Sequence, residues 1–153
     1  MRVLELKIPP PAVALVAAVL MSLASRSSPG FAFVFPTGNL FAVGLAACGL
    51  IVAISGVVAF RRARTTLNPT KPEASSSLVS WGIYKITRNP MYLGLLLVLT
   101  AWAIFLSNWL ALLFLPAFVV YINRFQIVPE EQALTSLFAR EFVAYQARVR
   151  RWL

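Results

Sequence analysis

The sequence predicts an all-α integral membrane protein of about four transmembrane helices, two of them forming a short hairpin, followed by an amphipathic cytoplasmic helix. Three observations lead there. Of the 153 residues, 59% are hydrophobic and only 12% charged, more apolar surface than a domain of this size can hide from water. The apolar residues fall into charge-free runs at 8–25, 40–60, 91–106 and 109–123. The remaining charge is lopsided, with 14 Lys+Arg against 5 Asp+Glu, a net charge of +9 and no His. In a soluble protein that excess would point to nucleic acid; in a membrane chain it points to cytoplasmic loops and anionic lipid, and no nucleic-acid partner is expected.

The first run, Ile8 to Ser25, opens on Pro9-Pro10-Pro11, which a first helical turn accepts because its N–H groups are unpaired anyway. Arg2 and Lys7 before a short apolar core also resemble a secretory signal. Retention is expected, because the second helix needs a neighbour. Phe31 to Phe35 is apolar but too short to cross and reads as interfacial or re-entrant. Leu40 to Phe60 gives 21 uncharged residues, enough to cross about 30 Å of hydrocarbon. Gly49, Ala53 and Gly56 recur there at helical spacing, a strip that lets another helix approach closely. Cys48 in the same run reads as a small buried hydrophobe.

Met91 to Ile122 is uncharged for 32 residues, too long for one crossing, and Ser107-Asn108 divides it into two short helices with Trp102 and Trp109 near the far interface. After Pro129, the residues Leu134, Leu137, Phe138, Phe142, Tyr145, Val149 and Trp152 share one helical stripe, as in a helix lying on the membrane surface. Thirteen of the fourteen basic residues then fall on one side of a four-span chain, Arg26 alone on the other. Positive-inside sorting makes that side cytoplasmic, with both termini, in a multi-pass protein of the inner or plasma membrane.

The whole chain, 1–153, reads as one domain, with the chemistry concentrated at 61–90 and 124–153. Without His, and with a single Cys, the usual zinc sites and Cys/His nucleophiles are excluded and no metal is expected. Asn89-Pro90 suits a helix start, and a helix N-terminus beside Arg88 also suits a carboxylate or phosphate. Glu130-Glu131 after Pro129 suits a helix start as well as a cationic ligand, and both uses remain open. Between the clusters, residues 65–77 are rich in turn formers, with Pro69 and Pro72 restricting a linker that could act as a lid.

Five pieces in order carry a family resemblance: T-T-L-N-P at 65–69, L-V-S-W-G-I-Y at 78–84, R-N-P-M-Y-L-G at 88–94, E-E-Q-A-L at 130–134 and F-A-R-E-F-V-A-Y-Q-A-R-V-R-R-W-L at 138–153. Together they resemble the membrane methyltransferase superfamily of isoprenylcysteine carboxyl methyltransferases and phospholipid methyltransferases. The resemblance implies an S-adenosylmethionine site closed toward water and open sideways to lipid. Tyr84, Arg88, Asn89, Pro90, Tyr92, Leu93 and Gly94 would surround the cofactor, with Glu130 and Glu131 beside its positive groups. The family pattern usually has His at Asn89, Gly at Ala139 and Tyr at Phe142.

Methyl transfer from a sulfonium is a direct displacement, so the protein's task is to align donor and acceptor and exclude water. A carboxylate acceptor needs no base, whereas an ammonium must first lose a proton, to Glu131 or to water. The expected function is therefore carboxyl methylation of an isoprenylcysteine-like, membrane-borne acceptor, with Arg88 or Arg124 anchoring the carboxylate. The alternatives are a phospholipid N-methyltransferase, an NADPH-dependent enzyme resembling sterol reductases, and a non-enzymatic membrane scaffold.

Overall fold

The computed structural model describes residues 5–63 and 77–153. Expectations for Arg2, Arg64, Lys71, the T-T-L-N-P motif and most of the proline-marked linker lie outside the described residues. The described residues form helices and turns, with one isolated β-bridge between Ala32 and Asn108.

Helix α1 spans Pro10–Ser27, its prolines confined to the first turn. Helix α2 spans Gly38–Arg62, and α3 spans Pro90–Leu106. A single turn, α4 (Trp109–Leu112), leads into α5 (Phe114–Ile122), the π-helical segment Asn123–Ile127 and α6 (Val128–Arg148). By length and composition, α1, α2 and the continuous 109–148 helix, through its uncharged first part 109–123, can each cross a membrane, and α3 is a shorter apolar helix.

Close packing of α2 on α3 explains the small-residue strip. A Cβ added to Gly94 would lie 2.5 Å from the Gly49 carbonyl oxygen and 2.8 Å from the Ala53 nitrogen, and one added to Gly56 would lie 3.0 Å from the Pro90 ring. Only hydrogen side chains allow backbones this near, and in lipid such van der Waals contact is the main attraction between helices. The hairpin turns where the sequence places it. Ser107 takes a left-handed conformation, φ 48°, and Asn108 accepts the Leu110 N–H at 3.0 Å while its own amide reaches the Ser28 carbonyl at 3.0 Å.

Local structure bears on three expectations. Phe31 to Phe35, read as interfacial or re-entrant, forms the end of a 3₁₀ turn and an extended strap; Phe33 donates its N–H to the Ser107 carbonyl at 2.9 Å and packs its ring on Trp109. Cys48 is exposed on α2, not buried. The α6 stripe is covered in part by protein: Phe142, Tyr145 and Val149 bury against Ala59, Val79 and Tyr84, Leu137 stays exposed, and Trp152 packs on the main bundle.

Helix α6 is not an independent start either. Pro129 has no N–H for the carbonyl four residues back, and its ring would crowd that turn. The chain opens into the π-helical segment there, and the spare Phe125 carbonyl accepts the Leu6 N–H at 3.0 Å. Ala139 then kinks α6 with φ 41° and ψ −112°, a left-handed backbone that an alanine side chain opposes.

Candidate functional site

A cleft opens where the end of α2, the start of α3 and the first turns of α6 meet. Its floor is set by α3. Pro90 occupies the first helical position and Asn89 the cap position, but the Asn89 side chain does not cap the helix. Its amide nitrogen donates to the Arg151 carbonyl at 2.9 Å, and Thr87 Oγ1 reaches the same oxygen at 3.3 Å. The Arg88 N–H donates to the Arg150 carbonyl at 3.0 Å. The C-terminal residues thus strap the R-N-P segment to the end of α6, and the next N–H groups of α3 carry no side-chain cap.

The two adjacent glutamates serve different partners. Glu131 is held by Arg151, which donates from Nε at 3.2 Å and Nη2 at 2.6 Å, while Arg88 Nη1 stands 3.1 Å away as an ion pair. That Arg88 contact is close in distance but misaligned for a hydrogen bond. Arg88 Nε and Nη1 are therefore buried without a hydrogen-bond partner among the described residues, although the side chain lines the cleft. Buried donors of this kind normally find an acceptor.

Glu130 faces the other way. It accepts a short hydrogen bond from the Tyr92 hydroxyl of α3. Burial pushes its carboxyl up to about 7, the Tyr92 hydrogen bond pulling it back and neighbouring Glu131 adding to the rise. Tyr145 donates its hydroxyl to the Tyr84 carbonyl at 2.7 Å; burial pushes its phenol up to about 12, and Arg88 opposes that shift. Burial also raises Tyr84, so both phenols stay neutral at ordinary pH. Phe60 packs edge-on against Tyr84 at 5.4 Å and gives the cleft an apolar rim, which Met91 and Leu134 continue.

Of the residues singled out in the sequence, the structure brings Tyr84, Arg88, Asn89, Tyr92, Glu130 and Glu131 to this cleft. Others sit elsewhere. Pro90 packs under Gly56, Gly94 lies in the α2–α3 contact, and Leu93 is buried in α3. Arg124 is remote from the cleft lining; it pairs with Glu5 at 2.9 Å and lies over the Phe125 ring. The helix-start explanation of the glutamates also falls away, since α6 continues from the π-helical segment without a free N-terminus. Sequence reasoning missed Arg151 and the cleft walls Phe142 and Tyr145. The helical stripe contained both aromatics but did not reveal which surface it met, and nothing local marked Arg151 among its arginine neighbours.

A family model described as "Phospholipid methyltransferase" matches residues 38–141. Protein-S-isoprenylcysteine O-methyltransferase B of Arabidopsis thaliana is 30% identical over 112 residues, which is 71% of this chain and 55% of that relative. The chain thus spans about half the length of the plant protein. A Haemophilus influenzae protein named "Uncharacterized protein" is 51% identical over 63 residues, 41% of this chain and 100% of its own length. No solved structure matches the chain at a significant level.

Proposed function

The chain belongs to the phospholipid methyltransferase family, and from that premise we propose that it transfers a methyl group from S-adenosylmethionine to a lipid-borne acceptor, in first place a carboxylate of the isoprenylcysteine kind. The observation that carries this reading is the pairing, in one apolar-rimmed cleft, of an arginine whose buried Nε and Nη1 make no hydrogen bond among the described residues with a buried carboxyl held by the Tyr92 hydroxyl. That donor set fits S-adenosylmethionine, which carries a carboxylate together with ammonium and sulfonium charges. When bound, it supplies a methyl group already activated as an electrophile.

The chain's own residues then bind, orient and dry the site. Arg88 offers Nε and Nη1 to a carboxylate. Glu130, steadied by Tyr92, offers negative charge to a cationic group. Phe60, Met91 and Leu134 keep the rim apolar, strengthening these interactions by lowering the local dielectric. Glu131 keeps Arg88 close while itself fully engaged with Arg151. Arg124 is bound to Glu5 away from the cleft lining, so of the two arginines considered as anchors only Arg88 lines the cleft, where it can meet one carboxylate, the donor's or the acceptor's. The arginines at the end of α2 and along α6 support a cytoplasmic position for this cleft by the positive-inside rule.

A second reading is favoured by Glu130. An amine acceptor must lose a proton before it attacks, and a carboxyl titrating near 7 can take it, which supports a phospholipid amine. Both readings are tested by incubating the purified protein with lipid extract and radiolabelled methyl donor. A methyl ester releases volatile methanol in alkali, whereas an N-methyl product keeps its label. Absence of transfer to any lipid by folded protein would overturn both.

A further inference from the structure

We propose that Arg151 is a positioning residue that keeps Arg88 available to an anionic ligand in the cleft by occupying the carboxylate that would otherwise neutralise it. This rests on the reading of the cleft as a methyl-donor site. Glu131 and the two arginines beside it, Arg88 and Arg151, together carry one net positive charge. Arg151 takes the carboxylate in a two-pronged pair, Nε to Oε1 at 3.2 Å and Nη2 to Oε2 at 2.6 Å. Arg88 approaches the same Oε1 with Nη1 at 3.1 Å as an ion pair without hydrogen-bond alignment, and its Nε and Nη1 have no hydrogen-bond partner among the described residues.

Both Arg88 and Glu131 are largely buried, with side chains 13% and 15% exposed, whereas Arg151 is 36% exposed. The arginine nearer solvent thus satisfies the acid, and the one lining the cleft keeps its donors. Remove the Arg151 guanidinium, and the nearest cation left to Glu131 is Arg88. A bidentate pair between them would consume the free donors and cancel the positive charge in the cleft. The Arg151 backbone carbonyl, which accepts from Asn89 and Thr87, survives any side-chain change, so the C-terminal strap is retained.

The test is calorimetric titration of the full chain in lipid nanodiscs with S-adenosylmethionine and with its decarboxylated analogue, for wild type, R151Q, R151K and the E131Q/R151Q pair, each checked by thermal melting. R151Q is expected to weaken S-adenosylmethionine binding by about tenfold, the size of one charge-assisted hydrogen bond. R151K, which keeps the charge but not the fork, should fall between. The double variant removes one acid and one base, restores the net charge, and should recover part of the affinity that R151Q loses.

If the loss spares the decarboxylated analogue, the anion is the donor's carboxylate. If donor affinity holds while the KM for the lipid acceptor rises in R151Q and recovers in the double variant, the anion belongs to the acceptor. Either result supports the positioning role. Unchanged donor affinity and acceptor KM in R151Q, or a loss the double variant fails to recover, overturns it while leaving the methyl-donor reading intact. Failure of the folded wild type to bind S-adenosylmethionine overturns both.

Discussion

Replacing Glu130 by Gln should abolish a pH dependence of ligand affinity that is expected of the wild-type protein. The groups facing its carboxyl are the Tyr92 hydroxyl from α3, Tyr84 from the 3₁₀ turn at 82–85 and Glu131 on its own helix, and Arg88 lies across the same cleft. With its carboxyl pushed up to about 7 by burial, Glu130 is roughly one-tenth ionised at pH 6 and nine-tenths at pH 8. A cationic group that binds only the ionised form sees the competent fraction grow about tenfold over that interval. The sign is fixed: affinity rises with pH through about 7 and then levels. Titrating wild type and E130Q with S-adenosylmethionine from pH 5.5 to 8.5 measures this, and the difference between the curves removes the ligand's own titration. Equal slopes in the two proteins, or a flat wild-type curve, would refute Glu130 as the partner of the cation.

Two further changes probe the frame that holds the cleft. Gly94→Val puts side-chain atoms where backbone of Gly49 and Ala53 already lies, so α2 and α3 must separate; a loss of about 1–3 kcal/mol is expected, read as a lowered melting temperature in detergent, and an unchanged melt would disprove the close contact. Ala139→Gly relieves the left-handed kink at φ 41° and should stabilise by about 1 kcal/mol, visible as a raised melting temperature with donor affinity unaltered.

The helices were legible because their signals are local. Charge-free length marks α2, prolines confined to a first turn mark α1 and α3, and Ser107-Asn108 marks the hairpin. Gly49, Ala53 and Gly56 even revealed which face of α2 meets another helix. The site was half legible. Motif order brought six residues to one cleft, but it could not separate Gly94, which serves helix packing, from Tyr92 two positions earlier, which lines the cleft. Arg124 was not separable from Arg88 in sequence, because a basic residue has the same local signal whether it lines a cleft or, as here, pairs with Glu5. The α6 stripe was legible as apolar, but amphipathic spacing does not say whether lipid or protein covers a face.

The roles of the adjacent glutamates depend on how the chain reaches them. Had Pro129 begun a fresh helix, Glu130 and Glu131 would have lain against a free N-terminus, where carboxylates are stabilised and stay ionised. Instead the π-helical segment carries the helix through the proline, so no free N–H groups await them. Successive residues on a helix point about 100° apart, and each glutamate meets a different neighbour. Glu131 turns to two arginines and serves as their fixed counter-charge. Glu130 turns to a neutral phenol and a buried cleft, which leaves its charge to be settled by the ligand. One widened turn thus converts a pair that reads in sequence as capping acids into one structural acid and one responsive acid. The test of proton uptake therefore belongs to Glu130 rather than to Glu131.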